Sequence, residues 1–240
     1  MIITPNEIDR RFPNDHCRQV DAEYYIRCLA TQQHVDFLDL GAGDGRSFDV
    51  ASAAFPDLSW VGVDIENSPE VASRSRTDCR FMTYDGVNLP YPDNTFDIVY
   101  SRQVFEHVRH PEALLREIRR VLKPGGVFVG SVSQLEPFHS YSYWNFTYYG
   151  FAVLAHDAGL SLVEFRPGID GVMLSIRHLT LFGIGLNLAG SFLSMFGADS
   201  PINVLIGNIA IGRQASIAEI NKMKVTYAGH LCFCFQKVNG

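Results

Sequence analysis

The sequence lacks a long run of lysine and arginine, and its 240 residues carry 20 basic against 26 acidic side chains, a formal net charge of −6. A mildly acidic chain without such a run argues against nucleic acid as a binding partner. The N-terminus, MIITPNEIDRRFPNDH, lacks the apolar core of a signal peptide. Internal repeats and low-complexity tracts are absent, and the length suits one domain with an elaboration.

Cysteine is also scarce, and the spacing of the cysteines does not indicate disulfide pairs. Five cysteines occur at scattered positions, so no disulfide framework is predicted; they are Cys17, Cys28, Cys79, Cys232 and Cys234. The last two alternate within a predicted strand, but no second pair completes a tetrahedral metal site. We therefore expect buried apolar thiols, no metal site, and a chain suited to a reducing cytoplasm.

Between about residues 35 and 166, short β-rich runs alternate with helical patterns. This alternation predicts an α/β fold, a doubly wound and mostly parallel sheet with helices on both faces. The predicted strands are 35–40, 60–64, 80–84, 96–101, 127–132, 160–165 and 231–237. The predicted helices are 46–55, 69–75, 111–122 and 148–158.

About sixty residues between the sixth and last predicted strands are not required by the sheet. We divide a single domain into an N-terminal helical extension (1–34), a core (35–166), a helical insert that caps a binding site (167–227) and a final strand (228–240). Within the insert, residues 179–198 carry no charge and four glycines. The glycines argue against a membrane span, which leaves burial, a second copy of the chain in a homodimer, or a membrane surface or lipid-linked ligand as contacts.

A glycine-rich turn follows the first predicted strand and precedes a predicted helix. Its sequence, LDLGAGDG (38–45), lets the backbone and the helix N–H groups approach a ligand closely. The glycine spacing is G-x-G-x-G, whereas the dinucleotide-binding fingerprint is G-x-G-x-x-G, and residue 46 is Arg. Taken alone, the turn could equally be structural.

Two acidic residues strengthen the case for a ligand. Asp64 ends the second predicted strand, nineteen positions after Gly45, where an acid can accept both hydroxyls of a ribose. Asp85 follows the third predicted strand, where a carboxylate can accept from an exocyclic amine such as N6 of adenine. Each could be a solvated acid, but together with the turn they lie at the carboxyl edge of adjacent strands, where open α/β sheets bind ligands.

At this point the sequence resembles the class I methyltransferases that use S-adenosylmethionine (SAM), in particular their small-molecule branch. The motifs that carry the resemblance occur in the family's order: LDLGAGDG (38–45), VGVD (61–64), LPYPDNTFDIVY (89–100), VFEHV (104–108) and RVLKPGG (120–126). The resemblance covers roughly residues 35 to 166. It implies a Rossmann-like fold with a seven-stranded sheet, SAM as cofactor and S-adenosylhomocysteine as product.

The resemblance also implies a cofactor-binding set: Asp39, Gly41, Ala42, Gly43, Asp64, Ile65, Tyr84, Asp85, Gly86, Ser101 and Arg102. In the family, residues matching Gly41 and Gly43 pack under the methionine part of SAM, and the residue matching Asp39 helps to hold its amino group. Ser101 and Arg102 are expected beside the sulfonium.

For the adenosine part, the resemblance assigns the ribose to Asp64 and one face of the adenine to Ile65. The adenine edge is assigned to Asp85 and Gly86. The sequence departs from the family in two small ways, since Ala42 stands where Cys is frequent and Gly86 where Ala is frequent. Neither departure affects the expectation of SAM binding.

Candidate catalytic residues follow the fourth and fifth predicted strands. Methyl transfer needs alignment of acceptor, methyl group and sulfur, and a base is needed only where the acceptor must lose a proton early. We rank His139 first as that base, with His107 and Glu136 as alternatives, although His107 could equally be structural. His139 and Glu136 lie in an aromatic-rich stretch, 135–150, which suits the wall of a pocket for a sugar or planar ring, or a loop packed on the core.

These observations predict a SAM-dependent methyltransferase acting on a small-molecule hydroxyl, such as that of a sugar, glycoside or other natural product. The residues EPFH (136–139) and YWNFT (143–147) resemble methyltransferases of glycan and natural-product assembly. The alternatives are N- or C-methylation of another small or lipid-linked acceptor, a dehydrogenase, and a non-catalytic binding subunit. The glycine spacing and Asp85 disfavour the dehydrogenase, and the intact motif residues disfavour the non-catalytic subunit.

Overall fold

The computed structural model describes residues 3–182 and 199–238. Its strands are β1 (Val35–Leu40), β2 (Leu58–Ile65), β3 (Arg80–Tyr84), β4 (Phe96–Arg102), β5 (Leu122–Ser133), β6 (Leu160–Pro167) and β7 (His230–Lys237). Its helices are α1 (Pro5–Asp9), α2 (Glu23–Cys28), α3 (Ser47–Ala54), α4 (Pro69–Ala72), α5 (Pro111–Val121), α6 (Tyr148–Asp157), α7 (Gly171–Phe182), α8 (Pro201–Gly212) and α9 (Ile217–Thr226).

All seven strands form one sheet in the order β3-β2-β1-β4-β5-β7-β6. Strands β1 to β5 run parallel, and β7 pairs antiparallel with both β5 and β6. The predicted α/β fold with a seven-stranded, mostly parallel sheet is therefore confirmed. Because the order reverses beside β1, the carboxyl ends of β1 and β4 adjoin at the point where such sheets bind ligands.

The sheet is apolar on both faces because helices cover both. Strand β1 illustrates this arrangement, since Val35 and Phe37 join the buried cluster on one face while Leu38 and Leu40 join the cluster on the other. Alternate residues of a strand point to opposite faces, so one short apolar run supplies two cores. Both layers hold the carboxyl edge of the sheet in a fixed geometry.

Helix α5 has the predicted apolar stripe, but the strand after it begins earlier than predicted. The sequence Lys123-Pro124-Gly125-Gly126 reads as a stop between a helix and a strand at 127, whereas β5 already pairs with Phe96 at Leu122. The register is irregular between Phe96 and Ile98, and Gly125 has a φ of +78°. A bulge with a left-handed glycine keeps the chain in the sheet where a turn was predicted.

Helices α7, α8 and α9 lie between β6 and β7, in the predicted insert, and α1 and α2 precede β1. The insert is tied to the N-terminal extension by Lys224 of α9, whose buried ammonium donates to the backbone oxygen of Cys17 and lies 3.2 Å from Asp199. The division into extension, core, insert and final strand stays a prediction.

Most of the uncharged segment predicted at 179–198 cannot be compared with the structure, because residues 183–198 lie outside the described residues. In the part of the chain that is described, no helix has both the length and the apolar character required to cross a bilayer.

Candidate active site

The glycine turn lies directly after β1 and is held against β2. The backbone N–H groups of Gly41 and Ala42 donate to the Val63 oxygen at 2.8 and 3.1 Å. Gly41 and Gly43 have φ values of +72° and +52°, a conformation that side chains disfavour. A Cβ on Gly41 would also lie 2.2 Å from a methyl of Val104. The turn therefore needs glycine both for its backbone and for the close packing beneath it.

Asp39, the penultimate residue of β1, is a buried carboxylate. Its side chain is 3% exposed, and its Oδ2 accepts a hydrogen bond from the hydroxyl of Ser47, the first residue of α3. Burial raises the pKa of Asp39 to about 7, against the opposing hydrogen bond from Ser47. An ammonium group beside it would favour the charged form, so this position fits the amino end of an amino acid.

Asp64, near the end of β2, positions the same turn. Its Oδ2 accepts from the Gly43 N–H and its Oδ1 from the Ile65 N–H, both at 2.8 Å. Burial raises the pKa of Asp64, and these two backbone hydrogen bonds oppose the rise. Ile65 is 43% exposed, and a Cβ on Gly86 would lie 3.8 Å from it. The structure thus brings an acid, an exposed aliphatic side chain and a glycine together at the edge of β2 and β3.

Asp85 is exposed, and its carboxylate caps the turn that follows β3. Its Oδ1 accepts from the backbone N–H groups of Val87 and Asn88 at 2.9 and 2.6 Å, and its Oδ2 from the side-chain amide of Asn88 at 2.6 Å. The Asn88 side chain and these N–H groups lower the pKa of Asp85. An ionised carboxylate offers about four acceptor positions, so one remains for an adenine amine. Tyr84, the preceding residue, is buried.

Ser101 and Arg102 are the last two residues of β4, which extends one residue beyond the predicted end at Ser101. Ser101 is fully buried, and no partner for its hydroxyl occurs in the described residues. Arg102 is half exposed and lies 3.3 Å from Glu23 of α2. Its positive charge lowers the pKa of Asp39. Glu23 was not predicted as a site residue because no local pattern distinguishes it.

A cluster of carboxylates and imidazoles lies at the carboxyl ends of β4 and β5. We call it the histidine cluster, and its members are Glu106, His107, Glu136, His139, His178 and His230. Three of them, His107, Glu136 and His139, were predicted from the sequence, and the structure brings these three together. The others were missed: Glu106 lies within the VFEHV motif, but nothing in the sequence marks His178 of α7 or His230 of β7.

Glu136 lies at the centre of the histidine cluster with its side chain 5% exposed. It accepts from the hydroxyl of Ser133 and lies 3.2 Å from His178 Nε2, 3.3 Å from His230 Nε2 and 3.7 Å from His139 Nδ1. Burial alone would raise the pKa of Glu136, but the hydrogen bond and charge of His230, with Ser133 and His139, lower it to about 2. The carboxylate is therefore ionised at neutral pH.

The ring of His139 is oriented by its neighbours. Its Nδ1 lies 3.0 Å from the backbone oxygen of Pro137, which can only accept a hydrogen bond. Nδ1 therefore carries the proton in the neutral ring and Nε2 carries the lone pair. The His107 ring lies edge-on to it, with centroids 5.1 Å apart. Burial first, and the neighbouring His139 second, lower the pKa of His107.

The aromatic stretch 135–150 divides into a buried and an exposed part. Phe146 packs in the core, whereas Phe138, Tyr141 and Tyr143 are exposed. Trp144 donates its indole N–H to the Val108 oxygen at 2.8 Å. One end of the stretch therefore packs on the core, whereas its role as a pocket wall stays a prediction.

Glu70 of helix α4 lies against the glycine turn, since its Cβ is 3.3 Å from the position that a Cβ on Gly43 would take. Burial lowers the pKa of His107, and the negative charge of Glu70 opposes that effect.

Comparisons with known proteins agree with this arrangement. Residues 38–130 match the family model described as a methyltransferase domain. This match identifies residues 38–130 as a methyltransferase domain, and the relatives and the fold support the class I, SAM-dependent type. An uncharacterized methyltransferase of Mycolicibacterium gilvum is 30% identical over 162 residues, covering 65% of this chain and 56% of that protein. The sterol 24-C-methyltransferase erg6 of Aspergillus fumigatus is 30% identical over 131 residues, covering 47% and 34%.

Among solved structures, phosphoethanolamine N-methyltransferase 2 of Haemonchus contortus in complex with S-adenosyl-L-methionine superposes with a TM-score of 0.55. It is 19% identical, and the match covers 90% of this chain and 52% of that one. At this identity the superposition shows the fold alone. The chain spans about a third to about half of the length of the curated relatives that it matches.

Proposed function

We propose that this methyltransferase binds SAM on the glycine turn and transfers its methyl group to a hydroxyl of a small molecule, such as a sugar or glycoside. The observation that carries the proposal is that Asp39, Asp64 and the histidine cluster line one edge of the sheet, at the ends of β1, β2, β4 and β5. Acidic groups for the cofactor and imidazoles for the acceptor thus adjoin.

The residues at the turn suit SAM. When bound, SAM supplies a methyl group on a positively charged sulfur. Asp39 holds the amino group, Gly41 and Gly43 leave room beneath the methionine part, and Asp64 accepts from the ribose hydroxyls. Ile65 covers one face of the adenine. Because these groups are fixed by β1 and β2, they orient the methyl group toward the histidine cluster, and alignment is the main requirement of the reaction.

His139 is the proton acceptor that we favour for a hydroxyl acceptor. Its Nδ1 is held by Pro137 and faces the Glu136 carboxylate, so Nε2 is the atom that takes the proton as oxygen bonds to the methyl carbon. The carboxylate stabilises the positive ring that results. The exposed aromatic side chains beside the cluster then pack on the acceptor and exclude water.

An amine or carbon acceptor on a lipid-linked molecule is the second candidate. It is favoured by relatives named sterol 24-C-methyltransferase and phosphoethanolamine N-methyltransferase, and by exposed apolar side chains on α8, namely Val204, Leu205 and Ile211. An amine that is already unprotonated needs no base. The two candidates therefore differ in whether the reaction depends on His139.

Calorimetry with SAM, S-adenosylhomocysteine and NAD tests the cofactor, and absence of binding by both sulfur compounds refutes the proposal. Transfer of a tritiated methyl group to a panel of methyl glycosides and simple amines tests the acceptor. For a hydroxyl acceptor, we expect His139→Ala to lower turnover by about 10²–10⁴-fold with unchanged SAM affinity. His110→Ala, which removes an exposed ring nearby, is the matched control. Equal turnover in His139→Ala on an amine acceptor would favour the second candidate.

A further inference from the structure

The histidine cluster contains more ionisable groups than methyl transfer to a hydroxyl requires. One proton acceptor is sufficient for that reaction. The cluster nevertheless brings two carboxylates and four imidazoles together from four separate segments of the chain. Such a convergence of His and Glu side chains is the donor set that transition metals use in proteins.

Three members of the cluster have the geometry of a metal site. Glu106, His107 and His139 each offer one ligand atom, and these three atoms all lie within 4.8 Å of one another. Neighbouring ligands bonded to one metal at about 2.0–2.2 Å lie about 3–3.6 Å apart in a facial or tetrahedral set. Closing the site therefore needs side-chain movements of about 1–2 Å, and His139 lies on a loop rather than in a strand.

Two of the three residues also have buried polar atoms that nothing in the described residues satisfies. Glu106 is fully buried, and its Oε2 has no hydrogen bond of normal geometry. His107 Nδ1 is likewise buried without such a partner. Buried polar atoms are almost always paired, so two unsatisfied atoms on adjacent residues that can bind a metal point to an occupant.

We propose that Glu106, His107 and His139 bind a first-row transition metal ion such as Zn²⁺, Mn²⁺ or Co²⁺ on the acceptor side of the site. Two imidazoles and one carboxylate form a facial set that leaves coordination positions open. Imidazole ligands favour these ions over Mg²⁺ and Ca²⁺, which prefer oxygen ligands alone.

The neighbours of His139 support its part in this site. A histidine bound to a metal donates its other ring N–H to a carbonyl or carboxylate, which fixes the ring. Nδ1 of His139 lies 3.0 Å from the Pro137 oxygen and 3.7 Å from Glu136, which leaves Nε2 as the ligand atom. Glu136 is itself held by His178 and His230. It acts as a positioning residue, and the ligand set does not include it.

Binding of the ion does not depend on the proposed function. The role that we assign to the ion in the reaction extends that function. With an ion bound, His139 would be a ligand and no longer the proton acceptor; the ion would lower the pKa of the acceptor hydroxyl, and its proton would leave to water. The inference rests on the proposed function only for that role. Binding of the ion and binding of SAM use different residues and can be measured separately.

The test is titration of the purified, chelator-treated chain with Co²⁺, followed by its visible absorption, and with Zn²⁺ and Mg²⁺ by calorimetry. We expect one equivalent of Co²⁺ or Zn²⁺ to bind and Mg²⁺ not to compete. Glu106→Gln, His107→Ala and His139→Ala should each weaken binding by at least about tenfold, the lower end of the effect of losing a group that merely orients a ligand. His110→Ala should bind as the wild type does.

Circular dichroism and SAM calorimetry identify a variant that fails to fold. His139→Ala is the variant to rely on in that case, because its side chain is partly exposed. Absence of stoichiometric Co²⁺ and Zn²⁺ binding to the folded wild type overturns the proposal, as does wild-type affinity in both His107→Ala and His139→Ala. SAM binding without metal binding overturns the metal site alone, whereas metal binding without SAM binding overturns the proposed function alone.

Discussion

The Oδ2 of Asp64 accepts a hydrogen bond from the backbone N–H of Gly43 at 2.8 Å, across twenty-one positions of the chain. The end of β2 is thereby fastened to the turn that follows β1. One carboxylate thus has two tasks, because the acid proposed to bind the ribose also fixes the glycine on which the methionine part would rest.

Replacing Asp64 tests the ribose assignment. We expect Asp64→Ala to weaken SAM binding by about 1–3 kcal/mol, since charge-assisted hydrogen bonds to the ribose are lost. Calorimetry provides the measurement. Asp44→Ala is the control, because Asp44 lies in the same turn but pairs with Arg46 at the surface. Unchanged affinity in Asp64→Ala would show that the assignment is wrong.

The buried Asp39 predicts a pH dependence. Its pKa is raised from 3.8 to about 7, so between these values the folded chain keeps a proton that the unfolded chain releases, and this group's contribution to the free energy of unfolding falls as pH rises. An ammonium beside Asp39 favours the carboxylate, so binding releases the proton. SAM affinity should therefore rise by up to about tenfold per pH unit below about pH 7. It should fall once the α-amino group deprotonates near about pH 8.

Calorimetry of SAM binding at pH values from 5.5 to 8.5, in buffers of different ionisation enthalpy, measures both the affinity and the released proton. Asp39→Asn should bind SAM more weakly and lose the rise below pH 7. If that variant kept the wild-type pH profile, another group would be responsible for it.

A comparison of Gly41 with Gly125 separates the energetic cost of a left-handed backbone from the cost of side-chain crowding. Both glycines have a left-handed φ, +72° and +78°, but a Cβ on Gly41 would meet Val104 whereas nothing lies within 4 Å of one on Gly125. We expect Gly125→Ala to cost about 1 kcal/mol of unfolding free energy from the backbone alone. Gly41→Ala should cost about 1–3 kcal/mol more because of overpacking.

Urea denaturation of the two alanine variants gives these values. Adding Val104→Ala to Gly41→Ala should recover part of the loss, while the same addition to Gly125→Ala should recover nothing. Equal costs for the two single variants would mean that Val104 moves aside freely.

Replacing Lys224 measures how much the contact between the insert and the N-terminal extension contributes to the free energy of unfolding. The Lys224 side chain is 2% exposed beside Asp199, whereas Lys222 on the same helix forms an exposed pair with Asp9. Removing one partner of a buried pair typically costs about 3–5 kcal/mol, and of an exposed pair about 0–1 kcal/mol. Chemical denaturation should therefore distinguish Lys224→Ala sharply from Lys222→Ala. Similar losses in the two variants would mean that the Lys224 pair is effectively solvated.

The sequence was sufficient for most of the sheet because buried parallel strands are short apolar runs bounded by turns. Strands β1 and β3 have the predicted bounds. The start of β5 was predicted wrongly because Pro124 and two glycines normally end an element, and only the pairing with β4 shows that they form a bulge. Tertiary pairing here outweighs local preference.

The residues proposed for the cofactor could be named from the sequence for the same local reason, since the glycine turn, Asp64 and Asp85 lie at the ends of successive strands. The complete histidine cluster could not be named in this way. His178 and His230 reach Glu136 from α7 and from β7, and no spacing in the chain relates them to it. A cluster assembled from distant segments has no periodic signature. The expectation of no metal site considered the cysteines alone and stays a prediction.

The insert leaves the sheet after β6 and returns at β7, and these two strands are neighbours. Where the insert joins the sheet, the backbone N–H of Gly229 donates to the Ile169 oxygen at 2.7 Å, and that of Gly168 donates to the His230 oxygen at 3.0 Å. The insert is also bound elsewhere, because Lys224 donates to the Cys17 oxygen of the N-terminal extension and the side-chain amide of Gln134, just after β5, donates to the Val225 oxygen. An insert exchanged between relatives must therefore be moved together with the extension that it contacts.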